Sequence, residues 1–429
     1  MLHIKNGRVI DPASRTDAAL DVLLDGDRIT QVGPAAEVAR SLAARPAGSL
    51  EFIDATGLIV APGFIDLHCH LREPGDESSE TIATGTAAAA RGGFTAVCPM
   101  PNTKPVNDNA SVTRAILERA QAAGSVRVWP IGAASAGSKG EALAEIAAMR
   151  EAGIVAVSDD GRPIATARLL RHVMDYCRSL DLTVIDHCED ASLVAGAVMR
   201  EGRQSVRLGL QGMPAAAESI AVARDIHVAE LTSCRLHVAH LSTRASLELV
   251  RAARQRGLPV TCEVTPHHFT LTDEDVGYDT RFKMNPPLGS REDREALLAG
   301  LADGTVDAIA TDHAPHEPAL KDVEFDRAPF GVTGFETALA LALELVHRNA
   351  LELPRLVELF TTGPARVLGV PRMIAAGEPA DLTLFSVDHT WTFHAAESAS
   401  RSRNTPFDGR SFRGAPMVTI VGGRVVFRR

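Results

Sequence analysis

From about residue 58 to residue 312 a short apolar, β-branched run recurs, each time followed by polar residues and then by a stretch of helical character. The runs are LIVAPGFIDLHCH, FTAVCPMPN, VRVWPIGAAS, GIVAVSDDG, LTVIDHCED, CRLHVAHLS, PVTCEVTPHH and VDAIATDHAPH. Between them lie Ala/Leu/Glu/Arg-rich segments such as SETIATGTAAAARG, ASVTRAILERAQAAG, EALAEIAAMREAG, TRASLELVRAARQRG and REDREALLAGLADG. Several end in the Gly that favours a helix C-terminus. Strands alternating with helices in this way predict an α/β fold, a parallel (β/α)8 barrel of the TIM type. The two chain ends have another rhythm. LHIKNGRVID, LDVLLDGDRITQVG and EFIDATGLIVAPG near the start, and ADLTLFSVD, WTFH and MVTIVGGRVVFRR near the end, read as short strands, with turn pairs such as NG and DG punctuating the first set. Residues 1–60 and 372–429 are expected to build one small β-sandwich domain together, with 61–371 forming the barrel.

Composition narrows the field. A chain of 429 residues has room for a barrel of about 250 residues plus a smaller domain. With 45% apolar and 23% charged residues it can bury a large core. A net charge of -10 argues against a basic nucleic-acid surface, and 4% aromatics leave little for base stacking. The start, MLHIKNGRVID, lacks the pattern of a signal peptide, and no stretch approaches ~18 uninterrupted apolar residues, so no membrane span is expected. The six cysteines are scattered without a CxxC pair, which suggests reduced, buried thiols and a cytoplasmic setting.

The chemistry-bearing residues fall at the ends of strand runs: His68, His70, Asn102, Asp159, His187, His240, His267 and Asp312. In a barrel those ends converge on one mouth. His68 and His70 are two apart, so a strand places both on one face, where two imidazoles can share a metal ion. An isolated HxH is equally well explained by a hydrogen-bonded pair of core histidines. The convergence of His187, His240 and Asp312 favours the metal. Imidazole and carboxylate ligands suit Zn2+, with Co2+, Mn2+ or Fe2+ as substitutes. In SDDG, Asp159 comes first after the strand and is read as the inward, bridging ligand, with Asp160 as a turn or capping residue. Either two zincs bridged by Asp159 and hydroxide, or one zinc with a weaker second position, fits this set. Asp312 is read as the proton acceptor that serves a metal-acidified water and returns the proton to a leaving nitrogen.

Arg72, two residues after His70, suits a substrate carboxylate, and Asn102 and His316 could help hold it. The alternative for Arg72 is a salt bridge to Glu73 or Glu80. Asn285 is placed against the substrate ring. Residues 327–337, with Pro329, Phe330 and Gly331, are read as a substrate-facing loop. His237, His267, His268 and His313 are read as core or supporting histidines, and Cys69 as packing.

GFIDLHCHLREPG, MPNT, SDDG, DHCED, HVAHLST, EVTPHH, MNPPL, TDHAPH and APFGVTGFET occur in the order found in dihydroorotases of the amidohydrolase superfamily, and the chain resembles that family over essentially its whole length. The resemblance implies reversible opening of the dihydroorotate ring to N-carbamoyl-aspartate in pyrimidine synthesis. It implies His68 and His70 as ligands of one zinc, His187 and His240 of the other, Asp159 as the bridge, and Asp312 as ligand and general base. Arg72, Asn102 and His316 resemble the carboxylate site. Many relatives in the superfamily bridge the metals with a carboxylated lysine, and this chain has aspartate there, as one branch of dihydroorotases does. The resemblance also implies a homodimer and allows association with aspartate transcarbamoylase. Two rivals stay open. One is another cyclic amidase of the allantoinase or hydantoinase kind. The other is a silent scaffold for the transcarbamoylase, against which stands the retention of all six candidate ligands.

Overall fold

The structure, a computed structural model, describes residues 1–43 and 50–429. Its central part is a set of parallel strands, each followed by helix. Phe64–Cys69, Phe94–Pro99 and Arg127–Val128 form one sheet, and Ile131–Ala133, Ala156–Ser158, Thr183–Asp186, Leu236–Val238, Val260–Val264 and Ala308–Ile309 form a second. The two sheets meet at Trp129–Pro130. Proline has no N–H to give to a ladder, so the run Arg127–Ala133 is split, its first part paired with Phe94–Pro99 and its second with Ala156–Ser158. At the other side Cys69 bridges His313, and the His70 N–H donates to His313 O at 2.8 Å. Because all these strands are parallel, their C-terminal ends share one rim, and the chemistry-bearing residues sit there.

Two apolar layers hold this arrangement. Small and medium side chains, among them Ile65, Leu67, Ala96, Cys98, Ile131, Ala156, Ile185 and Ala308, fill the space enclosed by the strands. Larger ones such as Phe64, Phe94, Val157, Val184 and Val264 pack outward against the helices. The helices begin where the sequence places caps. Thr81 forms a capping box ahead of Ile82–Arg91, Asn109 caps Ala110–Ala123, and Ser290 caps Arg291–Asp303. EALAEIAAMREAG is helical only over Ile146–Ala152. Its first residues instead exchange backbone hydrogen bonds with the Ala134–Ala136 loop, Ala136 N to Ala142 O and Ala144 N to Ala134 O.

Both chain ends enter one sheet of eight strands, in which Ile59–Pro62 pairs with Leu382–Thr392. Hydrogen bonding thus joins them in one continuous sheet. The DG pair at Asp25–Gly26 does turn the chain. The NG pair does not: Asn6 and Gly7 form a bulge inside the strand Leu2–Asp11. A Cβ on Gly7 would lie 2.5 Å from Val60 Cγ2, so the bulge is also a place of close approach. Asp381 fastens this sheet to the parallel strands through Arg127 (2.7 and 3.0 Å) and Arg372 (3.1 Å).

Candidate active site

The rim holds a cavity of about 190 Å³ lined by His70, Arg72, Asn102, Asp160, His187, His240, Asn285, Asp312, His316, Phe330 and Gly331. His68 lies beneath it, fully buried. The pair His68 and His70 reaches the rim because of a local irregularity. Ile65 and Leu67 face the interior and Phe64 faces outward, so plain alternation would send residues 68 and 70 outward too. A register shift between Asp66 and Cys69 inserts one extra residue, reverses the alternation and turns both imidazoles inward. Cys69 remains in the outer apolar layer. His240, Asp312 and Arg72 have left-handed backbone (φ 30°, 45° and 61°), a strained conformation for such residues and one that clusters at working sites.

The inward imidazole nitrogens surround two carboxylates. Asp160 Oδ1 lies 3.3 Å from His68 Nε2, 3.4 Å from His240 Nε2 and 3.6 Å from His187 Nδ1. Asp312 Oδ1 lies 3.1 Å from His70 Nε2 and 3.6 Å from His68 Nε2. Three of the four outer nitrogens are held from behind. His68 Nδ1 donates to Glu263 Oε1 at 3.2 Å, His70 Nδ1 donates to Asn102 Oδ1 at 3.0 Å, and His187 Nε2 faces Glu189 Oε2 at 3.4 Å. Such outer partners fix which nitrogen carries the proton and leave the other lone pair facing inward, as in metal sites.

Asp159 is not in this cluster. Its Oδ1 accepts from Ala134 N (3.0 Å) and Ser135 N (2.9 Å), and its Oδ2 accepts from Ser135 Oγ (2.5 Å). Three donors occupy it in the neighbouring loop, and the next residue, Asp160, takes the inward position expected for it. Alternation carries the reason: Ala156 faces the interior, so residues 158 and 160 follow it.

Within this rim cluster two groups have ligand atoms within 4.8 Å of one another, His68–Asp160–His240 and His68–His70–Asp312. His68 Nε2, Asp160 Oδ1 and His240 Nδ1 are buried without a hydrogen-bond partner. Electrostatics matches. Burial opposes charge on His68, yet Asp160, Glu263 and Asp312 hold its imidazolium well above the usual histidine range. Asp160 and Glu189 likewise raise His187 to about 10. In turn the histidines hold Asp160 and Asp312 below the usual carboxylate range against burial. Such surroundings favour positive charge, and the donor set fits a divalent metal.

Beside this cluster Arg72 Nε donates to Pro315 O at 3.1 Å. Glu73 pairs instead with Arg119 and Glu80 with His313, so neither takes the salt bridge that was the alternative for Arg72. Among the described residues no carboxylate lies within ion-pair distance of it. His316 Nε2 donates to Phe330 O at 2.7 Å, and burial with the Arg72 charge pushes its pKa down to about 3, so it is neutral. Asn102 lines the cavity and also supports His70. Asn285 Nδ2 donates to Glu189 Oε2 at 2.9 Å while its buried Oδ1 has no partner. Phe330 and Gly331 line the cavity, whereas Pro329 gives its carbonyl to Lys321 Nζ (2.8 Å). Lys283 Nζ donates to Phe325 O and Asp326 O, so the loop is pinned at several points.

The chain matches a family model described as dihydro-orotase-like over residues 57–246. A dihydroorotase of Solibacter usitatus is 54% identical over 429 residues, 99% of this chain and 98% of its own length. The chain belongs to the dihydroorotase family. A dihydroorotase of Geobacter metallireducens is 50% identical, with 100% of both chains covered. Among solved structures, a D-hydantoinase (dihydropyrimidinase) from a Thermus species superposes with TM-score 0.82 at 27% identity, over 100% of this chain and 95% of the other. An L-hydantoinase from Arthrobacter aurescens reaches TM-score 0.87 at 24% identity, over 100% and 96%, and shows the shared fold alone. The architecture is that of the TIM-barrel amidohydrolases.

Several residues of this dihydroorotase-family site escaped the sequence reading. Asp160 was visible in the alternation of GIVAVSDDG had Ala156 been set inside. Glu263 is a lone acid within an apolar strand, which is itself a signal; it faces His68 Nδ1 and, at 3.1 Å, His237 Nε2. His237 and His313 are both buried, the latter donating Nε2–H to Glu80 while Nδ1 accepts from Gly334 N. His267 and His268 lie not on a strand but in the short helix Pro266–Thr270, capped by Thr265, and both are buried. His268 bridges Thr265 and Pro286 O.

Proposed function

We propose that this chain is a zinc-dependent dihydroorotase of pyrimidine biosynthesis, which hydrolyses the cyclic amide of (S)-dihydroorotate reversibly to N-carbamoyl-L-aspartate. The reading is carried by one observation: four imidazoles and two carboxylates converge beside a guanidinium, Arg72, that has no acid partner among the described residues. It is supported by the curated dihydroorotases at about half identity over the whole chain. The two parallel sheets, continuous through residues 127–133 and bridged at Cys69–His313, are read as one closed (β/α)8 barrel. The six buried free cysteines suit a reducing, cytoplasmic setting.

His68, His70, Asp160, His187, His240 and Asp312 would hold the metal, with Asp160 rather than Asp159 among the ligands. When bound, the metal supplies a Lewis acid for the amide carbonyl and acidifies a water towards a pKa of ~7. Asp312 is ionised at neutral pH and can take the proton of the attacking water. It then returns that proton to the ring nitrogen as the amide C–N bond breaks. Arg72 binds the substrate carboxylate as a charge-assisted pair, aided by Asn102 and neutral His316. Asn285 and the backbone of Phe330 and Gly331 face the ring. A cavity this small excludes bulky substituents.

The test is loss of dihydroorotate absorbance by purified protein, with and without chelator. Turnover that chelator stops is the expected result. Equal rates in both conditions remove the metal role, and turnover of hydantoin or allantoin but not of dihydroorotate replaces this reading with that of another cyclic amidase.

A further inference from the structure

The substrate-carboxylate side of the site is built from two segments, Ala314–His316 and Phe330–Thr333. The first leads into the short helix Pro318–Lys321 and the second into the helix Ala338–His347. What locks them together comes from the far end of the chain. Asn404 is 4% exposed and uses both donors and the acceptor oxygen of its amide on them. Its Nδ2 donates to Ala314 O and to Gly331 O, each at 3.0 Å, and its Oδ1 accepts from His316 N at 3.1 Å. Its own carbonyl accepts from Thr333 N at 2.9 Å. A planar amide with two donors and one acceptor in these directions is hard to replace: an aspartate lacks the donors, and a leucine lacks all three.

The two segments also meet tightly without it. A Cβ on Gly331, whose φ is 134°, would lie 2.8 Å from Ala314 Cβ and 3.0 Å from His316 Nε2. Pro315 O, between the residues that Asn404 grips, is the acceptor that holds Arg72 Nε. Ala314 N also donates to Val332 O at 2.8 Å and His316 Nε2 to Phe330 O at 2.7 Å, so the Asn404 amide completes a set of contacts that orients Arg72 and His316.

We propose that Asn404 is a positioning residue for substrate recognition, setting Arg72 and His316 to receive a carboxylate while taking no part in metal binding or proton transfer. This inference rests on the dihydroorotase reading given above. It also assigns a purpose to the returning C-terminal segment, which contributes no side chain to the cavity lining.

The experiment compares wild type with Asn404→Ala and with Asn404→Asp, which fills the same volume. Steady-state rates with dihydroorotate and bound zinc per chain are measured on each. The expected result is a KM raised ~10-fold or more, with kcat within about threefold and zinc content unchanged, since lost orientation on the carboxylate side weakens binding before chemistry. Asn404→Asp should be the worse of the two, because it sets a carboxylate against two carbonyls. A fall in kcat with KM unchanged, a loss of zinc, or wild-type kinetics in Asn404→Asp would each overturn the proposal. Wild-type protein inert towards dihydroorotate would sink the functional reading and this inference with it, whereas active wild type beside an unaffected variant sinks the inference alone. Should neither variant fold, amide exchange in the wild type decides: slow exchange at His316 N–H supports the clamp, and exchange at the open-loop rate overturns it.

Discussion

At the scale of single residues, the site separates two aspartates that adjoin in sequence. Asp159 is saturated by Ala134 and Ser135, and Asp160 stands among His68, His187 and His240. Asp160→Asn is therefore expected to lower bound zinc per chain, while Asp159→Asn should leave zinc content near wild type and act on loop stability; atomic absorption on the two purified variants reads the difference. Asp312 tests a separate role. Asp312→Asn keeps an oxygen towards His70 and loses the basic lone pair, so kcat should fall by roughly 10²- to 10⁴-fold with zinc largely retained. A near-normal rate would take the proton-transfer role away from Asp312. Neutral His316 gives a pH test. Its pKa, pushed down to about 3, lies below the ordinary 6.5, so no titration of this ring is expected between pH 8 and 5 in its NMR signals. Because the folded value is depressed, its contribution to stability is complete above pH ~6.5 and declines as pH falls towards 3.

At the scale of elements, legibility follows the period of the pattern. Long amphipathic helices such as Ala110–Ala123 and Arg244–Gln255 were readable because caps and apolar spacing agree. The strand runs were readable too, together with the rule that chemistry gathers at their ends. What escaped was parity. The bulge before His68 and the left-handed turn at His240 each change which way a side chain points, and neither leaves a trace in composition. SDDG failed for the same reason: choosing between neighbours on a strand needs the face that Ala156 takes, and an apolar run such as GIVAV does not state it. The NG pair misled because a bulge and a hairpin draw on the same residues. The joint between sheet and parallel strands makes its own prediction. Asp381 is buried between Arg127 and Arg372, which hold its pKa below the ordinary 3.8 despite burial. Asp381→Asn leaves Arg372 buried without a counter-charge and should cost about 3–5 kcal/mol, read from urea unfolding. With the folded pKa depressed, the carboxylate's contribution is present above pH ~4 and lost as pH falls below it. The wild-type advantage over the variant should therefore shrink in acid, and an advantage constant down to pH 2 would count against this pairing.

At the scale of the whole molecule, the apolar layers and the ligand cluster are separate structures that meet only at the rim. The interior layer from Ile65 to Ala310 and the outer helical layer are built from apolar side chains. Folding energy thus comes from burial that does not need the metal, unlike small metal-dependent domains in which binding and folding are one event. Without a cation, the cluster still has internal partners, since imidazoles and carboxylates already face each other at 3.1–3.6 Å. Removal of metal by dialysis against chelator should accordingly abolish turnover while leaving the far-ultraviolet circular dichroism of the folded chain unchanged. The melting temperature should still drop, because a ligand that binds only the native state stabilises it by mass action, about 2.7 kcal/mol at a hundredfold excess over its Kd. Adding back Zn2+ should restore both rate and melting temperature, in proportion to the metal bound per chain. Collapse of the circular dichroism on chelation would show that the cluster holds the fold itself, and a melting temperature indifferent to Zn2+ would mean that these six side chains bind no metal in the native state.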